Sequence, residues 1–186
     1  MSYQQPDFFR FGTDSIWLTE FIKKENFEPT PLRILELGAG SGVISCELAS
    51  LLPSAHFTCV ELQPEFLPHL NANLALCLEG RFEVILNSVG KFNPQGEMKF
   101  DLIVFNPPYF ESSETRSSPS QQREICRKHV VDSWDEWMAC VERSLALEGE
   151  VFWVHRAERE IPVGLKAVMV AQKGELGIWR AGLNVE

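Results

Sequence analysis

The sequence predicts an α/β fold on one mostly parallel sheet, and three observations carry that expectation. Apolar, strand-like runs alternate with helical segments along most of the chain. The first run, 33–37, ends in Gly38-Ala39-Gly40-Ser41-Gly42, a glycine-rich turn that opens a helix. The last two runs, 165–172 and 175–181, flank Lys173-Gly174 with no helix between them, which forces a hairpin. The expected architecture is a doubly wound, Rossmann-like sheet of seven strands, order 3-2-1-4-5-7-6, with the last strand antiparallel.

The elements follow in order. Thr13 to Ile22 reads as a short opening helix, and Pro29 and Pro31 break the chain before strand 33–37. A helix is expected over 42–51, a strand over 56–60, a helix from Pro64 to Cys77 and a strand over 81–86. A loop with Pro94 and Gly96 leads into strand 100–105. Residues 111–122, rich in Ser and Gln with Pro119, read as a long surface loop. Trp134, Trp137, Met138, Val141 and Leu145 recur at helical spacing, so a helix over 132–147 packs its tryptophan face on the sheet. Strand 150–155 precedes the closing hairpin.

With 186 residues the chain reads as a single domain, 1–186, long enough to bury a core unaided. No apolar run approaches the roughly 18–20 residues of a membrane span, and the N-terminus has no basic, then apolar, secretory pattern. Five cysteines, an odd number without a Cys-x-x-Cys pair, speak against a disulfide framework or a metal site. Reduced thiols in a cytoplasmic protein are the expectation. The net charge of −9 argues against a broad electrostatic grip on nucleic acid. Within 114–130, however, Arg116, Arg123, Arg127 and Lys128 outnumber Glu114 and Glu124, with His129 beside them.

Two motifs carry chemistry. Gly38, Gly40 and Gly42 form G-x-G-x-G; the dinucleotide pattern would need glycine at 43, where the chain has Val43. Glu61 ends the second strand 21 positions after Gly40, followed by Leu62. A carboxylate at roughly that distance accepts hydrogen bonds from the ribose hydroxyls of a nucleoside cofactor. Glu36, just before the glycines, is placed to order the turn or meet a cofactor amino group. The second motif is Asn106-Pro107-Pro108-Tyr109, directly after strand 100–105. Proline holds Asn106 extended, and two prolines stiffen the turn. The Asn106 amide oxygen and the Pro107 carbonyl become two rigid acceptors. A planar NH2 group is a poor nucleophile because its lone pair is delocalised. Acceptors on both its hydrogens favour a pyramidal nitrogen and stabilise the positive charge that grows as it attacks. Tyr109 can stack on a planar substrate.

With these residues in place, the chain resembles the class I S-adenosylmethionine (SAM) dependent methyltransferases. Among them it is similar to the bacterial tRNA adenine-N6 methyltransferases that modify the adenine beside the anticodon of a valine tRNA. Phe9-Arg10-Phe11-Gly12-Thr13-Asp14 matches that family's opening segment, whose Asp, here Asp14, faces the cofactor pocket. Arg123-Glu124-Ile125-Cys126-Arg127-Lys128-His129 is similar to its Arg/His segment, and His155 to Arg159 to its run after the fifth strand. The resemblance implies SAM as cofactor, tRNA or another RNA as partner, and substrate contacts from Tyr109, Arg123, Arg127 and His129. Many relatives carry an Asp at the end of the third strand for the SAM adenine amine. This chain has Asn87-Ser88, either of which can hydrogen-bond that amine.

The same NH2 logic serves enzymes that methylate a protein glutamine amide, so a protein substrate is possible. Such enzymes carry an N-terminal helical domain, and a chain whose cofactor segment begins near Gly12 is expected to lack one. Methylation of guanine N2 in rRNA, by enzymes in which Phe often replaces the motif Tyr, is a further alternative. A SAM-fold module that binds RNA or protein without catalysis is the non-enzymatic alternative.

Overall fold

The strand-like runs pair into one seven-stranded sheet in the computed structural model, which describes residues 2–25, 27, 32–96, 98–108, 110–111, 128–129, 131–156 and 164–184. In chain order the elements are α1 (Thr13–Ile22), β1 (Arg33–Leu37), α2 (Val43–Ala49), β2 (His56–Glu61), a 3-10 turn (Pro64–Phe66) leading into α3 (Leu67–Leu78), and β3 (Phe82–Leu86). There follow β4 (Phe100–Phe105), β5 (Phe110–Glu111), β6 (Lys128–His129), α4 (Trp134–Ser144), β7 (Leu145–Arg156), β8 (Leu165–Lys173) and β9 (Leu176–Leu183). The main sheet runs β3-β2-β1-β4-β7-β9-β8. Counted among its own seven strands, that is the expected order. Strands β3, β2, β1, β4 and β7 are parallel; β9 is antiparallel to both β7 and β8. The hairpin turns at Gly174, φ +62, with Lys173 opposite Leu176.

Successive side chains of the central strands enter opposite layers, which explains why these strands are apolar on both faces. Ile34, Phe57, Leu102, Val104, Phe152 and Val154 pack under α1, α2 and α3 with Leu18, Leu48, Leu70 and Leu74. Leu35, Leu37, Val60, Ile103, Phe105, Val151 and Trp153 pack under α4 with Trp134, Trp137, Met138 and Val141. Phe105, Trp153 and Trp179 lie at one register of β4, β7 and β9. Trp153 stacks on both neighbours, with ring centroids 5.7 and 6.2 Å away.

Two elements depart from the sequence expectation. The helix expected over 132–147 is α4, 134–144. Ser133 and Glu136 form a reciprocal capping box at its start, and Leu145 is already extended, paired with Phe100. Leu145 continued the apolar spacing because it is buried, yet it is buried as a strand residue. The second departure is a two-stranded parallel sheet that pairs Phe110 with Lys128 and Glu111 with His129. Two residues are too few to show a period. Beyond Glu111 the expected loop 111–122 lies outside the described residues.

Candidate functional site

The carboxyl ends of β1, β2 and β4, the turn after β3 and the approach to α4 enclose a cavity of about 140 Å³. Openings of this kind form at the carboxyl edge of α/β sheets, where chain crossovers diverge.

Its floor is the glycine turn. Gly38, Gly40 and Gly42 all have positive φ, +64, +54 and +73. Conformation is only part of the reason for glycine. A Cβ at Gly38 would stand 2.8 Å from the Trp137 ring, and one at Gly42 would stand 2.7 Å from Leu70. At Gly40 the nearest atom would be 3.7 Å away, in the Phe66 ring. The turn is tied to β2 by Ala39 N–H donating to the Val60 carbonyl at 3.0 Å.

Glu61 ends β2 and is buried in the cavity wall. Gly40 N–H donates to its Oε2 at 2.7 Å and Gln63 N–H to its Oε1 at 2.8 Å. One carboxylate therefore fixes both the glycine turn and the turn after β2. Burial pushes its pKa up, and the N–H groups of Gln63, Gly40 and Leu62 oppose the rise. Carboxylate oxygens have more acceptor sites than these two bonds use.

Glu36 lies deeper, 2% exposed, between β1 and α2. Its Oε2 accepts from Ser45 N–H at 3.0 Å and from the Ser45 hydroxyl. Burial raises its pKa from 4.5 to about 7, helped by the charge on Glu61 and opposed by the Ser45 hydrogen bonds.

Asn106 is the first residue beyond β4 and lines the same cavity. Its Nδ2 donates to Ser15 Oγ at 3.0 Å, which couples the turn to α1. Pro107 is buried and is not among the residues lining the cavity, whereas Pro108 reaches its wall. Aromatic side chains close the remainder: Phe9, Phe11 and Phe66, with Trp137 below. Phe8 and Phe9 pack edge-on against Phe66, at centroid distances of 5.3 and 6.0 Å. Asn73 on α3 anchors this N-terminal segment by accepting from Gln4 N–H and donating to the Gln4 carbonyl, both at 2.9 Å.

Glu36, Gly38, Gly40, Glu61, Leu62 and Asn106 are thus brought to one cavity. Gly42 is packed against α3 instead, and Asp14 stands between Gly12 and Ser15, which do line the cavity. Asn87 and Ser88 lie outside its wall. Asn87 Oδ1 accepts from Ser88 N–H, and Ser88 Oγ accepts from Lys91 N–H. Tyr109, Arg123 and Arg127 fall outside the described residues, as do Arg116 and Cys126. His129 is placed by its backbone alone, paired to Glu111. Ser15, Val89, Asp132 and Trp137 join the cavity with no sequence signal beyond ordinary helix and turn patterns. Among the described residues no cluster of His, Cys, Asp or Glu has the makings of a metal site, and no helix is long and apolar enough to cross a membrane.

Comparison with known proteins gives this arrangement relatives. The family described as "Methyltransferase small domain" matches residues 15–170. A tRNA1(Val) (adenine(37)-N6)-methyltransferase from Histophilus somni is 30% identical over 146 residues, covering 76% of this chain and 58% of that protein. The chain thus spans a little over half the length of that curated relative. A release factor glutamine methyltransferase from Geobacter sulfurreducens is 33% identical over 116 residues, 61% of this chain and 40% of that protein. Among solved structures, TrmN from Thermus thermophilus superposes with a TM-score of 0.63 at 16% identity, covering 91% of this chain and 48% of that one. At that identity the likeness speaks for the fold alone.

Proposed function

The chain belongs to the methyltransferase small domain family, and from that premise we propose that it is a SAM-dependent N-methyltransferase of a planar NH2 group, with adenine N6 of a tRNA as its target. The observation that carries the reading is Asn106. It directly follows β4 in the wall of the same cavity that the glycine turn and Glu61 line. The name of the Histophilus relative supports adenine as the target.

The residues present fit the cofactor. Glu61 keeps acceptor capacity for ribose hydroxyls, while Gly38 and Gly40 leave the turn without side chains beside it. Leu62, Val89 and the Phe66 ring supply apolar walls for a flat base. Glu36 lies on the β1 side, where an ammonium group would be met by a carboxylate. When bound, SAM supplies an electrophilic methyl group.

The chain's own part in the chemistry rests on the Asn106 turn. Asn106 Oδ1 and the Pro107 carbonyl accept from the target NH2, orient its nitrogen lone pair and stabilise the positive charge developing on it. Aromatic walls exclude water from the reacting atoms. Tyr109 stacks on the target base, and Arg123, Arg127 and His129 contact the RNA. The protein acts in the cytoplasm, where its tRNA is found.

A glutamine amide is the second reading, favoured by the Geobacter relative and by the shared NH2 chemistry. One experiment separates them. The protein is incubated with methyl-labelled SAM and unmodified tRNA, rRNA and protein fractions, and the labelled product is digested and identified. N6-methyladenosine in tRNA supports the proposal. Label in glutamine moves the substrate to protein, and no transfer to any fraction leaves a binding module.

A further inference from the structure

The exit of β3 carries no carboxylate of its own, yet a carboxylate stands beside it. Residues 88–92 are held against α4 from both ends of that helix. At the near end, Asp132 Oδ2 accepts from Val89 N–H at 2.9 Å. At the far end, the Arg143 guanidinium donates to the carbonyls of Val89, Gly90 and Phe92 at 2.7–3.0 Å. Gly90 makes room for this docking: a Cβ there would stand 2.8 Å from Asp132 Oδ1. Asp132 directly precedes Ser133, whose capping box with Glu136 fixes the start of α4. Val89 and Asp132 both line the cavity, whereas Asn87 and Ser88 do not. Asn87-Ser88 follow the third strand, and at the same edge of the cavity stands an acid from another element, Asp132.

We propose that Asp132 is the residue that selects adenine in the cofactor, by accepting a hydrogen bond from its exocyclic amine. The chemistry is matched. The amine is a donor and an ionised carboxylate is an acceptor only, so a base carrying a carbonyl at that position would meet lone pairs with lone pairs. The bond from Val89 N–H fixes the carboxylate at this edge of the cavity, and a carboxylate can accept several hydrogen bonds at once. Val89, immediately adjacent, offers its side chain to the face or edge of the same base.

This inference rests on the SAM reading, and binding measurements separate the two. Calorimetry is run on the wild type and Asp132→Asn with S-adenosylhomocysteine and with its inosine counterpart, in which a carbonyl replaces the amine. The wild type is expected to prefer the adenine compound by about 10- to 100-fold. D132N keeps an acceptor for Val89 N–H and gains a donor, so its preference should collapse towards unity or reverse. A wild type that binds neither compound sinks the SAM reading. A wild type that binds both alike, or a D132N protein that keeps the full preference, overturns the role of Asp132. Asn87→Ala serves as the contrasting variant and should keep the wild-type preference; loss of preference there returns the role to the β3 exit. Should D132N not fold, a crystal structure of the wild-type complex decides. An adenine amine beyond hydrogen-bond distance of Asp132 overturns the proposal.

Discussion

Asn106 Nδ2 donates to Ser15 Oγ at 3.0 Å, joining the residue after β4 to the first turn of α1 across 91 positions of sequence. A side-chain amide has one donor end and one acceptor end on a rigid plane. Committing the nitrogen to Ser15 commits the oxygen to the other side. Ser15 is itself buried, 7% exposed, in the cavity wall. The acceptor that the proposed chemistry needs is therefore oriented before any substrate arrives.

Asn106→Ala should slow methyl transfer by on the order of 100-fold or more, because its acceptor strengthens only as the amine becomes cationic. SAM affinity should stay near the wild-type value. Ser15→Ala should cost less, about 2- to 10-fold in kcat, the worth of one orienting hydrogen bond. The double variant is the informative protein. If Ser15 acts through Asn106, S15A/N106A transfers methyl at the N106A rate. Additive losses in single-turnover assays would mean that Ser15 works independently.

Glu61→Ala should weaken SAM binding and loosen the glycine turn together. The substitution removes the acceptor of two backbone N–H groups, at Gly40 and Gln63, as well as the proposed ribose contact. Losing a charge-assisted hydrogen bond costs about 1.5–3 kcal/mol, roughly 10- to 150-fold in affinity. Calorimetric SAM affinity and the melting temperature of the free protein report the two effects separately. Unchanged affinity would remove Glu61 from the cofactor site.

The strand positions were legible because each central strand is apolar on both faces and bounded by Gly, Pro or polar residues. Strand 33–37, between Pro31 and Gly38, shows this most clearly. The Asn106 turn was equally plain, since its two prolines leave the backbone few options. What stayed hidden depends on crossovers. Trp137 and Asp132 reach the cavity only because α4 covers the face on which Leu35, Leu37 and Phe105 lie. No local pattern marks a cavity residue on a helix whose other apolar residues are core. Likewise Gly42 belongs to a motif read as cofactor-facing, and its packing against Leu70 and Leu74 becomes visible only once α3 is in place.

That packing makes Gly42 a test of what the turn demands. Gly42→Ala forces a Cβ into left-handed backbone, about 1–2 kcal/mol, and places it 2.7 Å from Leu70 and 3.0 Å from Leu74, both fully buried. Overpacking adds roughly 1–3 kcal/mol. Gly40→Ala bears the backbone cost alone, because its Cβ would meet nothing closer than 3.7 Å. Thermal melts of the two variants should therefore differ, with G42A lower by several degrees. Equal melting temperatures would show that Leu70 and Leu74 yield freely.

Glu36 should make stability fall as pH rises through the neutral range. Its carboxyl is raised from 4.5 to about 7, first by burial and further by the charge on Glu61. Below about 4.5 the folded and unfolded chains both hold the proton, and the group costs nothing. Between 4.5 and 7 the unfolded chain releases a proton that the fold retains, so each pH unit removes about 1.4 kcal/mol of stability. Above 7 both forms are ionised and the full penalty, on the order of 3 kcal/mol, persists. Glu36→Gln keeps an oxygen for the Ser45 hydroxyl and N–H but has no proton to lose. Urea unfolding of both proteins at pH 5 and pH 8, without cofactor, isolates the effect, since the remaining charges are common to both. Relative to E36Q, the wild type should lose about 2–3 kcal/mol between the two pH values. A difference that does not change with pH would mean that Glu36 ionises in the fold as it does in the open chain. The Ser45 hydrogen bonds would then offset its burial.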